Sequence, residues 1–430
     1  MHPASSLEDS YDVAIVGGGP AASTVATLLA KADVRVVVFE KEQFPRLQVG
    51  ESLLPANLPI FDRLGCHGLL RESGLMEKPG VTIYDDHEGR GVITFAFPST
   101  RFQPSSAYHV VRASFDDLLL KHAGDSGASV FSHHSVNQVV FEANAVALKV
   151  KTPSGDAKNV YAQVLVDASG RASFVAGSLG RRVPIPGLGK VALFAHFQGM
   201  QRDSSIAEGN ARLFLIPQGW LWWFSFADGT DSVGAVLHSR VVKDRGGSVQ
   251  TLFDEVLAAS PRVTNGLAHA EQITPVQRLA NFSYKIIPCV GNRYVAIGDA
   301  AGFIDPIFST GVFLGMRSGE LAADAILAAL RRRDFSVRHF RRYERQLRRG
   351  TAPFLRFIRR FYEPAFLDIF FTPHPPMGLE RPVLWVLSGA AFDHRPLWVR
   401  FGLAVFFGIV NIRNIVRWAA GLPVESRGSW

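Results

Sequence analysis

The sequence predicts an α/β protein in which a β-α-β unit is accompanied by an inserted antiparallel sheet and a helical C-terminal region. A β-branched run at residues 11–16 enters a glycine cluster, an alanine-rich stretch follows, and a second apolar run ends at Glu40. Short alternating segments with Asp-Gly and Pro-Gly turns fill residues 76–112 and 188–240, as in antiparallel sheets. Arginine-rich and phenylalanine-rich segments make up the last quarter of the chain.

Length and composition indicate a globular protein of two or three sub-domains. The chain has 430 residues, of which 47% are hydrophobic and 20% charged, and this is too long for one ordinary core. The first ten residues contain no apolar core and no basic leader, so we expect no secretory signal. Cys66 and Cys289 are the only cysteines, which fits a reducing cytosol and predicts neither a disulfide framework nor a metal site. We therefore expect a cytoplasmic protein.

The first motif with a chemical role is Gly17-x-Gly19-x-x-Ala22, between the first strand and the first helix. Gly17 permits the tight turn, Gly19 lets the backbone approach a pyrophosphate at the helix N-terminus, and Ala22 allows close helix–strand packing. Glu40 ends the second strand, where an acid can bond ribose hydroxyls. The arrangement predicts a Rossmann-like dinucleotide site, with Lys41 as a neighbouring contact.

Two later segments indicate which dinucleotide binds. VLVDASGR at 164–171 and VAIGDAAGFIDP at 295–306 complete an ordered set of three motifs with the glycine turn. Together they resemble the FAD-binding fold of the aromatic hydroxylase superfamily. The resemblance implies that the cofactor is FAD and that Asp299 bonds its ribityl chain.

The predicted elements divide the chain into three regions. Residues 112–125 and 311–330 have helical patterns. We expect a discontinuous FAD-binding domain, an inserted substrate domain and a basic helical C-terminal region, which cover 8–75, 105–180 and 280–330, then 76–104 and 181–279, and finally 331–430.

Finer matches within the predicted FAD-binding domain resemble the flavin-dependent halogenases. FPRLQVGESLLP at 44–55 matches their Pro-Arg and Gly-Glu-Ser elements, and YHVVRASFDDLLL at 108–120 matches their next helix entry. The resemblance implies three further cofactor contacts, at Arg46, Ser52 and Arg112.

The halide site of that family is matched as well, by Ser309-Thr310-Gly311 ahead of the last predicted helix. Backbone N–H groups at a helix N-terminus suit a chloride ion. The resemblance implies that Thr310 and Gly311 hold the halide and that Gly311 also contacts the cofactor. Tryptophan-specific members place a catalytic glutamate just before this step. Phe308 stands there in this chain, so we do not expect free tryptophan as the substrate.

The reactive lysine of the family lies in a Lys-x-Gly element, which Lys78-Pro79-Gly80 matches. A lysine in an apolar tunnel has a lowered pKa, and it can bind hypohalous acid or form a haloamine and deliver the halogen. The alternative is a type II turn with an exposed lysine, because Pro followed by Gly suits its two central positions. The neighbouring matches favour Lys78 as the catalytic residue.

GWLWWFSF at 219–226 contains three of the seven tryptophans. On a strand, Trp220, Trp222, Phe224 and Phe226 share one face, which either packs into a core or forms the wall of a substrate cavity. Halogenases carry Trp-x-Trp-x-Ile-Pro here, and the resemblance implies that it keeps substrate away from the flavin. Phe224-Ser225 replaces Ile-Pro, so we interpret the stretch as an altered wall, with hydroxylation still open beside halogenation.

Charge is concentrated in residues 331–360, where twelve arginines and two acids give a local charge of +10 in a chain with net charge +8, so the rest of the chain carries a small negative charge. A solvated helix face is one interpretation. Nucleic acid fits the charge alone, but no nucleic-acid motif accompanies it, so we expect none. We favour docking of an acidic acyl carrier protein, or of an anionic membrane surface through Phe354, Phe357 and Phe361 at helical spacing.

The longest charge-free run, at residues 401–412, is shorter than the roughly 20 residues that cross a bilayer. We therefore expect no transmembrane helix. An interfacial or lid-like helix is still a possible interpretation of this region, and so is a peripheral location at the inner membrane surface.

The resemblance implies that a flavin hydroperoxide oxidises chloride or bromide, and that Lys78 passes the halogen to an electron-rich aromatic or carrier-tethered substrate. The alternatives are a FAD-dependent monooxygenase, a flavin-dependent reductase of acyl or polyprenyl chains, and a flavoprotein that docks a carrier or membrane without turnover. Only one dinucleotide fingerprint is visible, so we expect reduced FAD to come from a partner flavin reductase or from NAD(P)H.

Overall fold

The computed structural model describes residues 7–46, 48–97, 104–245, 247–280, 282–372, 378–392, 396–422 and 424. Its strands, in chain order, are β1 Ser10–Val16, β2 Val36–Glu40, β3 Met76–Lys78, β4 Gly80–Asp85, β5 Gly91–Ala96, β6 Ala107–His109, β7 Ser129–Ser132, β8 Ser135–Phe141, β9 Val146–Lys151, β10 Ala157–Asp167, β11 Arg181–Pro184, β12 Lys190–Gln198, β13 Ala211–Ile216, β14 Gly219–Ser225, β15 Thr230–His238, β16 Glu271–Gln272, β17 Gln277–Ala280, β18 Tyr284–Ile287, β19 Val290–Gly291, β20 Tyr294–Ala296 and β21 Gly302–Phe303. Its helices are α1 Pro20–Ala30, α2 Leu58–Leu64, α3 His67–Glu72, α4 Arg112–Asp125, α5 Ala176–Leu179, α6 Ser239–Arg245, α7 Val249–Leu257, α8 Pro261–Gly266, α9 Thr310–Arg332, α10 Val337–Phe361, α11 Pro364–Phe370, α12 Glu380–Leu387 and α13 Leu397–Ala419.

The first large sheet contains the predicted β-α-β unit. Its strands run in the order β7-β2-β1-β10-β20-β19, and β9 and β8 extend from β10. The pairs from β7 to β20 are parallel. Strand β2 reads VVVFE and is buried throughout, which is typical of a parallel strand covered on both faces. Helices α1, α4 and α9 pack together beside it. The predicted Rossmann-like α/β class is confirmed.

The second large sheet runs in the order β16-β12-β15-β14-β13-β4-β5, with β17 also paired to β12. Strands β4 and β5 come from the earlier predicted substrate segment, and they join strands of the later segment in one sheet. The sheet is antiparallel except between β4 and β13, which are parallel. Alternation of side chains reports which face is buried and not the direction of a strand, so the sequence pattern did not indicate this pair.

A small three-stranded sheet joins β11 to β18 and β21. Residues 181–184 of the predicted substrate domain therefore pair with strands of the predicted FAD-binding domain.

The phenylalanines of α10 face inward. Phe354, Phe357 and Phe361 are fully buried. The Phe357 ring lies 6.2 Å from that of Phe366 on α11 and 5.0 Å from that of Phe407 on α13. The prediction that these residues contact a membrane is wrong, because helical spacing reveals an apolar face without showing that α11 and α13 cover it.

Helix α13 is longer than the charge-free run at its centre. It is a helix of 23 residues that is long and apolar enough to cross a bilayer by length and composition, and about a third of its apolar window is buried in the protein. Length and composition do not place the helix in a bilayer, so the expectation of no transmembrane helix stays a prediction. The charge-free run lies between Arg400 and Arg413, whereas the helix continues through both residues.

Candidate active site

A cavity of about 580 Å³ lies where the two large sheets and α9 meet. Most of the predicted site residues line it, both from the cofactor set and from the aromatic wall: Gly17, Gly19, Glu40, Lys41, Arg46, Ser52, Arg112, Asp299, Gly311, Trp220, Trp222 and Phe224. The fold therefore brings residues that are up to about 290 positions apart in the sequence to one space. Ala22, Lys78 and Thr310 are not part of the lining and are buried around it.

The glycine turn at one end of the cavity has the geometry of a phosphate cradle. Gly17 has φ +104°, and a Cβ there would lie 2.4 Å from Ala168 O, so only glycine fits. A Cβ at Gly19 would meet no atom closer than 3.6 Å, which leaves open space at the N-terminus of α1. Glu40 Oε2 accepts the Gly18 N–H at 2.7 Å and is thereby fixed beside this space. An anionic group is favoured at such a helix end.

Arg112 is held in place by a bidentate ion pair at the start of α4. Its Nε and Nη2 donate to the two carboxylate oxygens of Asp116 at 2.7 and 2.8 Å. Burial raises the pKa of Asp299 to about 6, and the nearby charges of Arg112 and Arg171 oppose this rise. A carboxyl group beside two guanidinium groups suits a ligand that carries both hydroxyls and phosphates.

Several buried polar atoms near the cavity are unsatisfied within the described ranges, among them atoms of Arg46, Ser52, Arg171 and Thr310. Arg171 Nε and Thr310 Oγ1 have no hydrogen-bond partner there. Orphaned polar atoms of this kind are costly unless a ligand or an ordered water pairs with them. Together with the glycine cradle and Glu40, they fit a bound FAD.

The aromatic wall forms on one face of β14, as the alternation of side chains along a strand predicts. Trp220, Trp222 and Phe224 project from β14 into the cavity, with successive ring centroids 6.0 and 6.1 Å apart. Leu221 and Trp223 pack in a separate core on the opposite face. The three aromatic side chains therefore line the cavity from one face of β14, and their role as a wall for the substrate stays a prediction.

The prediction that Phe226 shares this face is wrong. The strand ends at Ser225, and Phe226 instead packs edge-on against His196, with ring centroids 5.6 Å apart. Alternation predicts a face only as far as the strand extends.

A buried polar network fastens the wall to the rest of the protein. Trp220 Nε1 donates to Tyr362 Oη at 3.3 Å, and that hydroxyl donates to the Asp305 carboxylate, 3.1 Å from each oxygen. Lys190 Nζ lies 4.1 Å from the centroid of the Tyr362 ring. Burial raises the pKa of Asp305 to about 6 and lowers that of Lys190 to about 8. The network therefore holds the Trp220 indole in one orientation.

Sequence reasoning missed Lys190, Asp305 and Tyr362. They lie on β12, in the loop before α9, and just after α10, so no spacing connects them. The only local signal was that Asp305 falls within VAIGDAAGFIDP.

Glu51 was missed too, although it stands in Gly-Glu-Ser. It lies 2.5 Å from His196 Nε2, and its hydrogen bond raises the pKa of that imidazole against the effect of burial.

Lys78 is the last residue of β3, and its side chain is 0% exposed. Its Nζ donates to Leu53 O at 2.9 Å and lies 5.2 Å from the centroid of the Phe97 ring. Burial lowers the pKa of this amine to about 7. Leu53 follows Ser52, which lines the cavity, so the amine lies directly behind the cavity lining.

The turn alternative for Lys78 is wrong. Gly80 begins β4 and does not have the positive φ that a type II turn requires at its second central residue. A Cβ at Gly80 would lie 2.1 Å from Phe95 O, so the glycine allows β4 and β5 to approach closely. The Pro-Gly pair therefore reflects strand packing, and the lysine beside it is buried.

His109 lies between Lys78 and the wall. It is on β6, which pairs with β3, and its ring centroid is 5.0 Å from that of Phe224. Burial, followed by the charge of Lys78, lowers the pKa of His109 well below its usual value. A neutral imidazole therefore lies within electrostatic range of an easily deprotonated amine.

The halide motif lies at the start of α9. Ser309 has φ +55°, in the left-handed region, and Thr310 begins a helix of 23 residues. Gly311 lines the cavity, whereas the side chain of Thr310 is fully buried. The helix N-terminus and a hydroxyl that has no hydrogen-bond partner among the described residues thus meet beside the cofactor cavity.

Comparisons with known proteins agree with this geometry. Residues 12–104 and 92–366 match a protein family described as tryptophan halogenase. The chain is 30% identical over 414 residues to a 1H-pyrrole-2-carbonyl-[peptidyl-carrier protein] chlorinase of Pseudomonas fluorescens, covering 91% of this chain and 92% of that protein. It is 32% identical over 392 residues to the corresponding brominase of Pseudoalteromonas luteoviolacea, covering 89% and 93%.

Solved structures show the same likeness. The flavin-dependent brominase Bmp2 superposes with a TM-score of 0.83 at 28% identity, over 94% of this chain and 98% of that one. The myxobacterial chondrochloren halogenase CndH superposes with a TM-score of 0.79 at 28% identity, over 98% and 92%. The chain therefore belongs to the flavin-dependent halogenases, which are FAD-dependent oxidoreductases.

Proposed function

We propose that this enzyme halogenates an electron-rich aromatic ring that is tethered to a carrier protein, and that Lys78 delivers the halogen. The observation that supports this most directly is the placement of Lys78. Its amine is fully buried behind the lining of the cofactor cavity, with a pKa of about 7. An amine that is neutral at physiological pH is a nucleophile, whereas an ordinary exposed lysine is not.

Gly17, Gly19, Glu40, Arg46, Arg112 and Asp299 would hold the FAD. Reduced FAD, when bound, supplies the two electrons with which O₂ converts a halide ion to hypohalous acid. The Lys78 amine then attacks the halogen, so that a nitrogen–halogen bond forms, the halogen–oxygen bond breaks and water leaves. The aromatic carbon takes the halogen from the nitrogen and loses its proton, which restores the amine.

The halide would bind at the N-terminus of α9. The Thr310 and Gly311 N–H groups lie in the first turn of this helix, where the dipole favours an anion. Thr310 Oγ1, buried without a partner among the described residues, is available to donate a further hydrogen bond. Gly311 in the cavity lining brings this position next to the cofactor.

The substrate class is supported by Phe308 and by the relatives. Phe308 packs edge-on against Phe361, with ring centroids 5.5 Å apart, so no carboxylate stands where the tryptophan-specific enzymes use a glutamate. Two similar proteins are named for pyrrole-2-carbonyl groups on a peptidyl carrier protein. The substrate that we propose is therefore a phenol or pyrrole on a carrier protein. A separate flavin reductase would supply the electrons.

The first prediction is a halide-dependent product mass. With reduced FAD, O₂ and bromide, we expect a carrier-bound pyrrole-2-carbonyl group to gain one bromine per turnover, because the wall separates substrate from the flavin. Mass spectrometry of the carrier protein measures this, and the same mixture without halide is the control. A product that gains oxygen whether or not halide is present would instead identify a hydroxylase.

The second prediction concerns carrier docking through α10. Arg341, Arg342, Arg348 and Arg349 are exposed, and changing all four to Ala should weaken binding of an acidic carrier protein by about tenfold or more at low salt. Binding of the unchanged enzyme should weaken as salt rises, since exposed charges are screened over about 8 Å at physiological ionic strength. Titration of the carrier protein at two salt concentrations measures both effects.

The matched control removes four exposed cations elsewhere, at Lys149, Lys151, Lys158 and Arg240. It should bind the carrier protein as the unchanged enzyme does. Equal weakening in both variants would mean that α10 is an ordinary solvated helix face.

A further inference from the structure

Helix α13 has an exposed apolar face, which we call the outer stripe. Phe401 and Ile415 on it are 72% and 64% exposed. Its members recur every three or four positions along the whole helix, and none is charged: Leu397, Phe401, Ala404, Val405, Gly408, Ile412, Ile415 and Ala419. Over 23 residues the stripe extends about 34 Å. Soluble proteins seldom expose so continuous an apolar surface without a binding role.

The opposite face of α13 packs on the enzyme. Leu403, Phe406 and Val410 are buried. A Cβ at Gly402 would lie 2.4 Å from Pro382 Cγ, so α13 and α12 are in close contact through this glycine. The helix is therefore held flat against the protein, with the outer stripe facing away from the elements on which it packs.

Arginines border the outer stripe. The Arg356 guanidinium lies 3.8 Å from the centroid of the Phe407 ring, and Arg360 donates to Asn411 Oδ1 at 2.6 Å, which places the end of α10 along one flank of α13. Arg400 is exposed on the same flank. Residues 397–419 contain no acid.

Two acids that contact α13 are neutralised within the protein, and exposed tryptophans mark the two ends of the helix. The Asp368 carboxylate accepts from Arg90 and Arg417, each at 3.0 Å, and the Glu363 carboxylate accepts from Arg360 at 2.7 Å and from Asn414 at 2.8 Å. Trp398 and Trp418 are exposed, the latter by 75%. Tryptophan and arginine side chains favour the headgroup level of a bilayer, where an apolar and a polar medium meet.

From these features we infer that α13 docks the enzyme on an anionic lipid bilayer, lying in the interface without crossing it. The acyl region would take up the outer stripe, and anionic headgroups would pair with the bordering arginines. A second copy of the chain fits less well, because pairing two outer stripes brings the same arginines together, and the acids that contact α13 are already paired within each copy. The inference does not depend on the halogenation chemistry.

The test is flotation of the full-length holoenzyme with phosphatidylcholine vesicles, with and without phosphatidylglycerol. We expect it to float with the anionic vesicles and much less with the neutral ones. The variant F401E/I412E/I415E should lose vesicle affinity by about 100-fold or more, since burial of each large apolar side chain contributes strongly to partitioning. Retained flavin absorbance and circular dichroism show that the variant is folded.

The matched control V92E/V140E/L179E changes three exposed apolar residues on other elements. It should float as the unchanged enzyme does. Three results would overturn the inference: no flotation of the unchanged enzyme at low salt, equal loss in both triple variants, or light scattering that shows a dimer which only the outer-stripe variant dissociates.

Discussion

Changing Lys78 to Ala is expected to abolish halogenation and leave FAD binding intact. The amine lies behind the lining of the cofactor cavity and is not part of it, so its removal leaves Gly17, Glu40 and Arg112 in place. Loss of a positioned group that relays the reacting species costs roughly 10²–10⁴-fold in rate, and a covalent carrier costs more. Product mass spectrometry and the flavin absorbance of the purified variant measure the two effects separately.

Conservative variants separate a chemical role from a structural one. Lys78→Met keeps the length and the apolar contact with Phe97 but has no amine, and Lys78→Arg keeps a positive charge that cannot become neutral. We expect neither to restore halogenation. Lys31→Ala is the matched control, because the Lys31 amine also donates to a main-chain carbonyl, that of Leu64. Halogenation by Lys78→Ala at the unchanged rate would refute the proposed role.

The pH profile provides an independent measure of the same role. The pKa of Lys78 is lowered to about 7, so its amine is neutral above that pH and protonated below it. A protonated amine has no lone pair with which to attack the halogen. Halogenation should therefore fall as pH drops through about 7 and level off above it, whereas a lysine with its usual pKa would let the rate keep rising toward pH 10.

Changing Gly19 to Glu is expected to abolish FAD binding in a protein that still folds. The space around a Cβ at Gly19 is open to 3.6 Å, so the new side chain fits without displacing the backbone. Its carboxylate would occupy the N-terminus of α1, where the cofactor pyrophosphate belongs. Like charges at close range cost several kcal/mol, which corresponds to a loss of affinity of about 100-fold or more. Titration of the apoprotein with FAD measures it.

Gly68→Glu is the control for this change, since a Cβ at Gly68 also meets open space, on the exposed helix α3. It should bind FAD normally. Full FAD affinity in Gly19→Glu would show that the glycine turn is not the pyrophosphate site.

Some features of this protein could be predicted from its sequence because residues that are close together in the chain determine them. Gly17 needs its positive φ for a turn between neighbouring elements, and Glu40 ends the strand beside that turn. The alternation of Trp220, Trp222 and Phe224 follows from the pleat of a single strand. Helix α4 spans 112–125 as predicted, since the helical pattern runs without interruption through those residues.

What covers each face depends on elements that are distant in the chain. Phe354, Phe357 and Phe361 had the spacing of an interfacial helix, but α9, α11 and α13 bury them. The exposed apolar face lies instead on α13, where the same kind of pattern has only one side packed. Periodicity shows that a face is apolar, and burial depends on which other surface competes for it.

The polar network around the wall shows the same limit in the site itself. Lys190, Asp305 and Tyr362 come from three elements, and each alone resembles any buried or surface residue of its type. Their lowered and raised pKa values arise only when the fold removes water from all three at once. A sequence motif indicates contacts between residues that are close together in the chain. The desolvation of an ionisable side chain depends on every element that packs around it in the folded protein.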